Sequence, residues 1–199
     1  MLILGLTGSI GMGKSATASL FAECGIPIYE ADRAVHELYE GEAVAAVEAA
    51  FPGVAQNGRI DRERLGRIVI GDAAAIARLE AIVHPMVRER QRRFLAHAAQ
   101  ACARMALLDI PLLLETGGER RVNLVIVATA PADVQRRRVL ERPGMTAAKL
   151  DEILAKQMPD AEKRRRAHFL VDTARGFDSA RAQVRGIVRA VAVIPGRRT

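Results

Sequence analysis

One glycine-rich segment constrains the fold of this chain more than any other part of its sequence. Four residues separate Gly8 from Gly13, and Lys14 and Ser15 follow directly. The apolar run Leu2–Thr7 comes just before and predicts a buried strand, and apolar residues at helical spacing come just after. A strand, a glycine turn and a helix in this order predict an α/β unit whose loop binds phosphate.

The residue types of this segment have a physical explanation. Glycines let the backbone turn tightly, and the exposed amides at a helix start attract anions. Lys14 is placed to reach the β- and γ-phosphates of a nucleotide, and the Ser15 hydroxyl is a ligand suited to Mg²⁺. We therefore predict an ATP–Mg²⁺ site whose nucleotide-binding residues are Gly8, Ser9, Ile10, Gly11, Met12, Gly13, Lys14, Ser15 and Ala16. The motif alone does not distinguish a kinase from a hydrolase or a switch.

The rest of the chain predicts a largely parallel sheet with helices between its strands. Apolar runs predict further strands at 27–29, 105–110, 124–128 and 169–171. Residues 41–101 show helical patterns and no clear strand. Helices are predicted there at 42–51, at 61–70 with Asp61 as N-cap, at 73–83, and from Pro85 to about residue 101. Residues 195–199 are predicted to be a frayed tail.

Composition limits the class of partner. The net charge is +7, but the arginines are dispersed and aromatic residues make up only 4% of the chain, which argues against a nucleic-acid-binding surface. The apolar runs are too short to cross a bilayer, so no membrane partner is expected. Cys24 and Cys102 are predicted to be small buried side chains, and two isolated cysteines fit a reducing cytoplasm.

Acidic residues that follow two predicted strands are candidates for chemistry. Asp32 comes after the second strand, where a carboxylate can accept a proton from a substrate hydroxyl or help to hold Mg²⁺. A helix N-cap explains Asp32 equally well. Asp109 ends an apolar strand and is similar to the acidic residue that assists the metal in P-loop enzymes, with an ordinary strand-terminal Asp as the alternative. Glu115 is a weaker candidate that we expect to be structural.

Arginines cluster in a segment that is a candidate lid. Arg136, Arg137, Arg138 and Arg142 are predicted to lie on one helix, with Pro143 and Gly144 as a hinge. Phosphoryl transfer requires positive charge near the transferred group and exclusion of water, and a mobile basic segment supplies both. Arg138 and Arg142 are four residues apart and would share a face. The alternative is a solvated basic helix.

Together these segments resemble the dephospho-CoA kinase family over nearly the whole chain. The glycine-rich opening is shared with many enzymes, and the combination of the later segments is more specific. The matching segments are 5–15 (GLTGSIGMGKS), 30–36 (EADRAVH), 57–66 (NGRIDRERLG), 84–88 (HPMVR), 109–115 (DIPLLLE) and the lid-like stretch from Gln135 to Pro159. Leu114 stands where the family usually has Phe, Pro143 where Asp is common, and Asp172-Thr173-Ala174 where Asp-Asn-Ser is usual.

The resemblance implies a fold and a domain organisation. The fold class is α/β: a three-layer P-loop kinase fold with a mostly parallel five-stranded sheet, a helical substrate-binding insertion and a helical lid. The core is expected at 1–30, 102–134 and 167–199, the CoA-substrate-binding insertion at 31–101, and the lid at 135–166.

The resemblance also implies an activity and its residues. The activity is ATP-dependent phosphorylation of the ribose 3′-hydroxyl of dephospho-CoA. The catalytic residues would be Asp32 as the base, and Lys14, Arg138 and Arg142 as the cations that neutralise the transferred phosphoryl group. Ser15 and Asp109 would serve the metal, and the substrate would contact Thr7, Asp32, His36, His84, Pro111 and Leu112.

Other functions remain open at the level of sequence. A P-loop kinase acting on a nucleoside or nucleotide has the same loop and lid, a switch or assembly ATPase has the same loop, and a nucleic-acid-binding protein is a third class. We expect a cytoplasmic protein that is a monomer or a weak homo-oligomer.

Overall fold

The structure is a computed structural model that describes residues 1–194, which divide into two compact units. The core unit comprises Met1–Tyr29 and residues 98–194, and the helical unit comprises Glu30–His97. The prediction for residues 195–199 lies outside the described residues.

Strands and helices alternate along most of the chain. In chain order the strands are β1 (Leu2–Thr7), β2 (Ile28–Glu30), β3 (Ala55–Gln56), β4 (Arg59–Ile60), β5 (Met105–Asp109), β6 (Leu124–Thr129) and β7 (Phe169–Asp172). The helices are α1 (Lys14–Glu23), α2 (Ala31–Tyr39), α3 (Val44–Ala50), α4 (Arg62–Val69), α5 (Ala73–Gln100), α6 (Ala132–Leu140), α7 (Ala147–Lys156), α8 (Asp160–Arg166) and α9 (Phe177–Val191). A short 3₁₀ helix spans Gly118–Arg121.

A five-stranded sheet organises the core unit within the described residues, in the order β2-β5-β1-β6-β7. The central strand β1 runs parallel to β5 and β6, and β6 runs parallel to β7. Every residue of β5 is buried, as expected for a strand covered on both faces. The predicted α/β fold and the five predicted sheet strands are confirmed.

Apolar side chains cover both faces of this sheet. Alternate residues of β1, Leu2, Leu4 and Leu6, pack into one cluster with side chains of α1 and α9. Burying each such leucine stabilises the fold by about 1.5–3 kcal/mol. On the other face, a Cβ added to Gly5 would lie 2.7 Å from Leu113 Cδ2, so the segment after β5 packs directly on the strand.

The helical unit has its own core, formed by α2 to α5 and a short hairpin. Eleven buried residues form this core, among them Leu38, Val47, Phe51 and Leu65. Asp61 caps α4 by accepting hydrogen bonds from the amides of Glu63 and Arg64, as predicted.

Two sequence predictions for the helical unit are wrong. Strands β3 and β4 form an antiparallel hairpin where no strand was predicted. Its turn consists of Asn57 and Gly58, both with positive φ (49° and 75°), which is the turn chemistry that a two-residue hairpin favours. The second error is at Pro85, which does not start a new helix but lies inside the continuous helix α5.

The cysteine prediction is also wrong, because Cys24 is half-buried and Cys102 is exposed. Cys102 has a φ of 55° in the turn that follows α5. None of the helices within residues 1–194 combines the length and the apolar character that a membrane-spanning segment requires.

Candidate active site

The loop between β1 and α1 is folded as a phosphate-binding turn. Gly11 and Gly13 have φ values of 77° and 81°, which only glycine adopts without strain. Gly13 precedes α1, and no side chain caps that helix or places an acid in its first turn. The first amides of α1 are therefore available to an anion, and the helix dipole favours negative charge there.

Neighbouring segments leave no room for side chains on the loop glycines. A Cβ on Gly8 would lie 2.8 Å from the carbonyl oxygen of Ala128. The same atom on Gly11 would lie 2.5 Å from Val139 Cγ2. Close packing against β6 thus requires a glycine at position 8, and both backbone conformation and packing against α6 require one at position 11.

Lys14 and Asp109 meet at the carboxyl ends of β1 and β5. Lys14 Nζ donates a hydrogen bond of 2.8 Å to Asp109 Oδ1, and Asp109 is 4% exposed. The pairing of adjacent parallel strands brings these residues together across 95 positions of sequence. A half-buried cation and a buried carboxylate beside an anion-binding loop are the charges that phosphoryl transfer uses.

Oxygen ligands suited to Mg²⁺ lie beside the loop. Ser15 is exposed in the first turn of α1, and Asp109 supplies a carboxylate at the end of β5. Hard oxygen donors of this kind, few in number, fit a cation that also binds nucleotide phosphates.

The Arg138 side chain is hydrogen-bonded to the backbone of the loop. Its guanidinium donates to the Gly11 carbonyl oxygen at 3.4 Å, to Thr173 Oγ1 at 2.8 Å and to the Thr173 carbonyl oxygen at 2.7 Å. The buried Thr173 hydroxyl in turn lies 3.0 Å from the Met12 carbonyl oxygen. The sequence analysis predicted that Arg138 neutralises the phosphoryl group, and it did not predict these hydrogen bonds to Gly11 and Thr173.

Arg142 is placed differently from Arg138. Helix α6 ends at Leu140, so Arg142 lies in the turn beyond it, and the prediction that both arginines share one helix is wrong. The Arg142 side chain is exposed, and its amide bonds to the Val139 carbonyl oxygen at 3.1 Å. Thr146 caps the next helix, α7, as predicted.

Two glutamines that the sequence analysis did not single out contact the tip of the loop. The Ile10 amide donates to Gln157 Oε1 at 3.1 Å, and Gln135 Nε2 donates to the Ile10 carbonyl oxygen at 2.7 Å. These pairs are 147 and 125 residues apart, and no sequence spacing indicates them.

The predicted substrate residues of the core unit lie at the end of β1 and just after β5. Thr7 is fully buried, and its hydroxyl donates to the Pro111 carbonyl oxygen at 2.8 Å. Leu112 is 42% exposed and so presents an apolar surface.

In the helical unit, Asp32 lies in the first turn of α2, two residues after β2 ends. Glu30 is the N-cap residue, so the alternative interpretation of Asp32 as the N-cap is wrong. Asp32 is exposed and forms no hydrogen bond or ion pair within residues 1–194.

The helical unit also contains a cavity of about 370 Å³. His36 and Tyr39 of α2 line it together with Asn57, Arg59 and Arg62 from the hairpin and α4. Burial raises the pKa of the Tyr39 phenol, although nearby Arg62 opposes this effect. His84 is exposed on α5 and is not among the residues that line the cavity.

The sheet order, with a glycine loop joining its central strand to α1, defines a nucleotide-binding protein of the P-loop kinase class. Comparisons with known proteins identify the family within that class. The family model described as dephospho-CoA kinase matches residues 2–178. The dephospho-CoA kinase of Rhodopseudomonas palustris (strain BisB18) is 59% identical over 198 residues, covering 100% of both chains. The chain belongs to the dephospho-CoA kinase family.

Solved structures agree with the fold. A crystal structure of TT1252 from Thermus thermophilus has a TM-score of 0.83 and 33% identity, covering 95% of this chain and 96% of that one. Dephospho-CoA kinase from Campylobacter jejuni has a TM-score of 0.66 at 21% identity, with the same coverage, and supports the fold alone.

Proposed function

We propose that this chain transfers the γ-phosphoryl group of ATP to the ribose 3′-hydroxyl of dephospho-CoA, giving coenzyme A and ADP in the final step of coenzyme A synthesis. The observation that carries the proposal is 59% sequence identity to a dephospho-CoA kinase over the full length of both chains. The phosphate loop supports it, because Lys14 and Asp109 form an ion pair beside that loop.

ATP binds through the loop residues 8–16 in this proposal. The amides of the loop and of the first turn of α1 hold the phosphate oxygens, and Lys14 leaves part of its contact with Asp109 to reach the β- and γ-phosphates. Ser15 and Asp109 would hold Mg²⁺, which when bound neutralises charge on the phosphates.

Asp32 is the proposed base. It accepts the proton of the 3′-hydroxyl as that oxygen bonds to the γ-phosphorus, and the bond from the γ-phosphorus to the bridging oxygen breaks to release ADP. The free, exposed carboxylate at the start of α2 supports this role. Arg142 and Arg138 are proposed to neutralise the transferred group, with Arg138 acting from its place against the loop backbone.

Six residues are proposed to contact dephospho-CoA. His36 lines the cavity in the helical unit and is proposed as a substrate ligand there, with Arg59 and Arg62 as partners for a pyrophosphate. The carboxylates of Glu40, Asp61 and Glu63 line the same cavity. His84 and Asp32 complete the proposed contacts of the helical unit, and Thr7, Pro111 and Leu112 those of the core unit.

The proposed setting is the cytoplasm. Cys24 and Cys102 are both free thiols, and Cys102 is exposed, which fits a reducing compartment.

An acceptor panel tests the function. The purified chain is given Mg²⁺ and ATP with dephospho-CoA, adenosine or AMP, and ADP and the phosphorylated product are measured. We expect ADP formation that depends on dephospho-CoA and yields coenzyme A phosphorylated on the 3′-oxygen. Turnover with AMP or adenosine and none with dephospho-CoA would indicate a different small-molecule kinase. Slow ATP hydrolysis that ignores every acceptor would indicate a switch or assembly ATPase.

A further inference from the structure

Both peptide groups of Ile10, at the tip of the phosphate loop, are held by glutamine side chains. Gln157 accepts the Ile10 N–H and Gln135 donates to the Ile10 C=O. Gln135 lies on α6 and is 7% exposed, and Gln157 directly follows α7. Two separate elements therefore fix one residue of the loop from its donor and its acceptor side.

The chemistry of these contacts determines how each amide is oriented. A backbone N–H requires an acceptor, so Gln157 must present its oxygen, and a carbonyl requires a donor, so Gln135 must present its nitrogen. The two glutamines have opposite roles, and neither can replace the other.

The residue that follows Gln157 is hydrogen-bonded to Glu115. The Met158 amide donates to Glu115 Oε1 at 3.0 Å, and the fully buried Lys163 of α8 places its Nζ 2.8 Å from the same oxygen, off the line of a well-aligned hydrogen bond. Burial by itself would raise the pKa of Glu115, but Lys163 and the Met158 amide outweigh it and hold the pKa below its ordinary value.

We propose that Gln135 and Gln157 are positioning residues of the nucleotide site. By holding Ile10 they keep the loop in the form in which the following amides, up to the first turn of α1, face the phosphates. A loop fixed before the nucleotide arrives loses less conformational entropy on binding. The proposal deepens the proposed function at its nucleotide site, but ATP binding alone is enough to examine it.

The test replaces each glutamine by methionine, which has a similar unbranched shape, cannot donate to the Ile10 carbonyl and offers the Ile10 amide only a weak sulfur acceptor. Gln135→Met, Gln157→Met and the double variant are compared with Asn123→Ala. Asn123 is a matched control because its Oδ1 accepts the Ile3 amide at 2.7 Å, near the start of β1 and away from the loop. The readouts are ATP affinity by calorimetry without acceptor, the KM values for ATP and dephospho-CoA, kcat and Tm.

We expect each single variant to weaken ATP affinity and raise the KM for ATP by about tenfold, with the KM for dephospho-CoA changed by less than about twofold. The double variant should be hardly weaker than either single variant, because both contacts hold the same residue. Asn123→Ala should lower Tm and leave ATP affinity unchanged.

The proposal is overturned if the glutamine variants lower Tm as Asn123→Ala does and bind ATP normally, since the contacts would then be only structural. Independent, multiplying effects in the double variant would also overturn it. Gln157 is half-buried, so Gln157→Met provides the answer if Gln135→Met does not fold. A wild-type chain that binds ATP but does not phosphorylate dephospho-CoA would refute the proposed function and leave the positioning role standing.

Discussion

At the scale of single residues, the glycines of this chain carry two different requirements. Gly13 and Gly25 have similar φ values, 81° and 76°. A Cβ on Gly13 would lie 2.9 Å from Thr173 Oγ1, whereas a Cβ on Gly25 would meet nothing within 4 Å. A side chain at position 13 would be strained by its backbone conformation and would also collide with Thr173 at the phosphate loop. A side chain at position 25, just after α1, would meet only the backbone strain.

This difference predicts two distinct outcomes for the same substitution. Gly25→Ala should lower the free energy of unfolding by about 1–2 kcal/mol, the usual strain of a left-handed alanine, and leave the KM for ATP unchanged. Gly13→Ala should be at least as destabilising and should also abolish measurable ATP binding. Chemical denaturation and calorimetry measure the two quantities. Normal ATP affinity in Gly13→Ala would contradict the assignment of the loop.

Asp32 is the residue on which the proposed chemistry depends. Asp32→Asn removes the proton acceptor, so kcat should fall by about 10²–10⁴-fold while ATP affinity remains close to that of the wild type. Lys14→Ala should lower both. Asp178→Asn, which neutralises an exposed carboxylate on α9, controls for the change in net charge. Steady-state kinetics that show near-normal turnover in Asp32→Asn would remove it from the role of base.

The sequence predicted some of these residues and could not predict others. The loop was predictable because its glycines, Lys14 and Ser15 are contiguous, and local geometry follows from local sequence. Gln135 and Gln157 were not predictable, because each is hydrogen-bonded to the backbone of Ile10. Any residue at position 10 would offer the same backbone groups, so the sequence does not indicate the contact.

At the scale of elements, the sequence predicted the strands of the five-stranded sheet better than the helix boundaries, and it missed the β3–β4 hairpin. The fully buried strand β5 reads as an uninterrupted apolar run, so its limits are clear. Helix α5 was divided at Pro85 because proline removes one helical hydrogen bond and breaks helices at a cost of about 3 kcal/mol. Pro85 is exposed, and Ile82, Val83 and Met86 pack on the core of the helical unit on either side of it. Tertiary packing therefore outweighs the local preference.

The Glu115–Lys163 ion pair joins helix α8 to the segment that follows β5 within the core unit. Because the pKa of Glu115 is lowered in the folded protein, its contribution to stability is present above the unfolded value near 4.5 and is lost as the pH falls through the folded value. Glu115→Gln should lower the free energy of unfolding at pH 7 by about 3–5 kcal/mol, because Lys163 remains buried without its counter-charge. The deficit should shrink in acid.

Denaturant unfolding between pH 3 and pH 8 measures this effect. The double variant Glu115→Met with Lys163→Met should recover most of the lost stability, since apolar pairs replace buried ion pairs at little cost. A pH-independent deficit in Glu115→Gln would show that charge is not the cause.

At the scale of the whole molecule, the two compact units separate the proposed tasks along the chain. The nucleotide loop, Lys14 and the glutamine contacts all belong to the core unit, while Asp32, His36 and the cavity of about 370 Å³ belong to the helical unit. Each ligand should therefore stabilise its own set of residues.

Hydrogen exchange should resolve this division. ADP with Mg²⁺ should slow exchange of the amides of residues 8–16, and dephospho-CoA should slow exchange in α2, the hairpin and α4. At a ligand concentration of 100 Kd the binding unit gains about 2.7 kcal/mol, which slows exchange through opening by about 100-fold. Lys14→Ala should lose the protection by ADP and keep that by dephospho-CoA. If dephospho-CoA protects no amide of residues 30–97, the helical unit does not bind the substrate, and His36 and the arginines of its cavity must serve the fold alone.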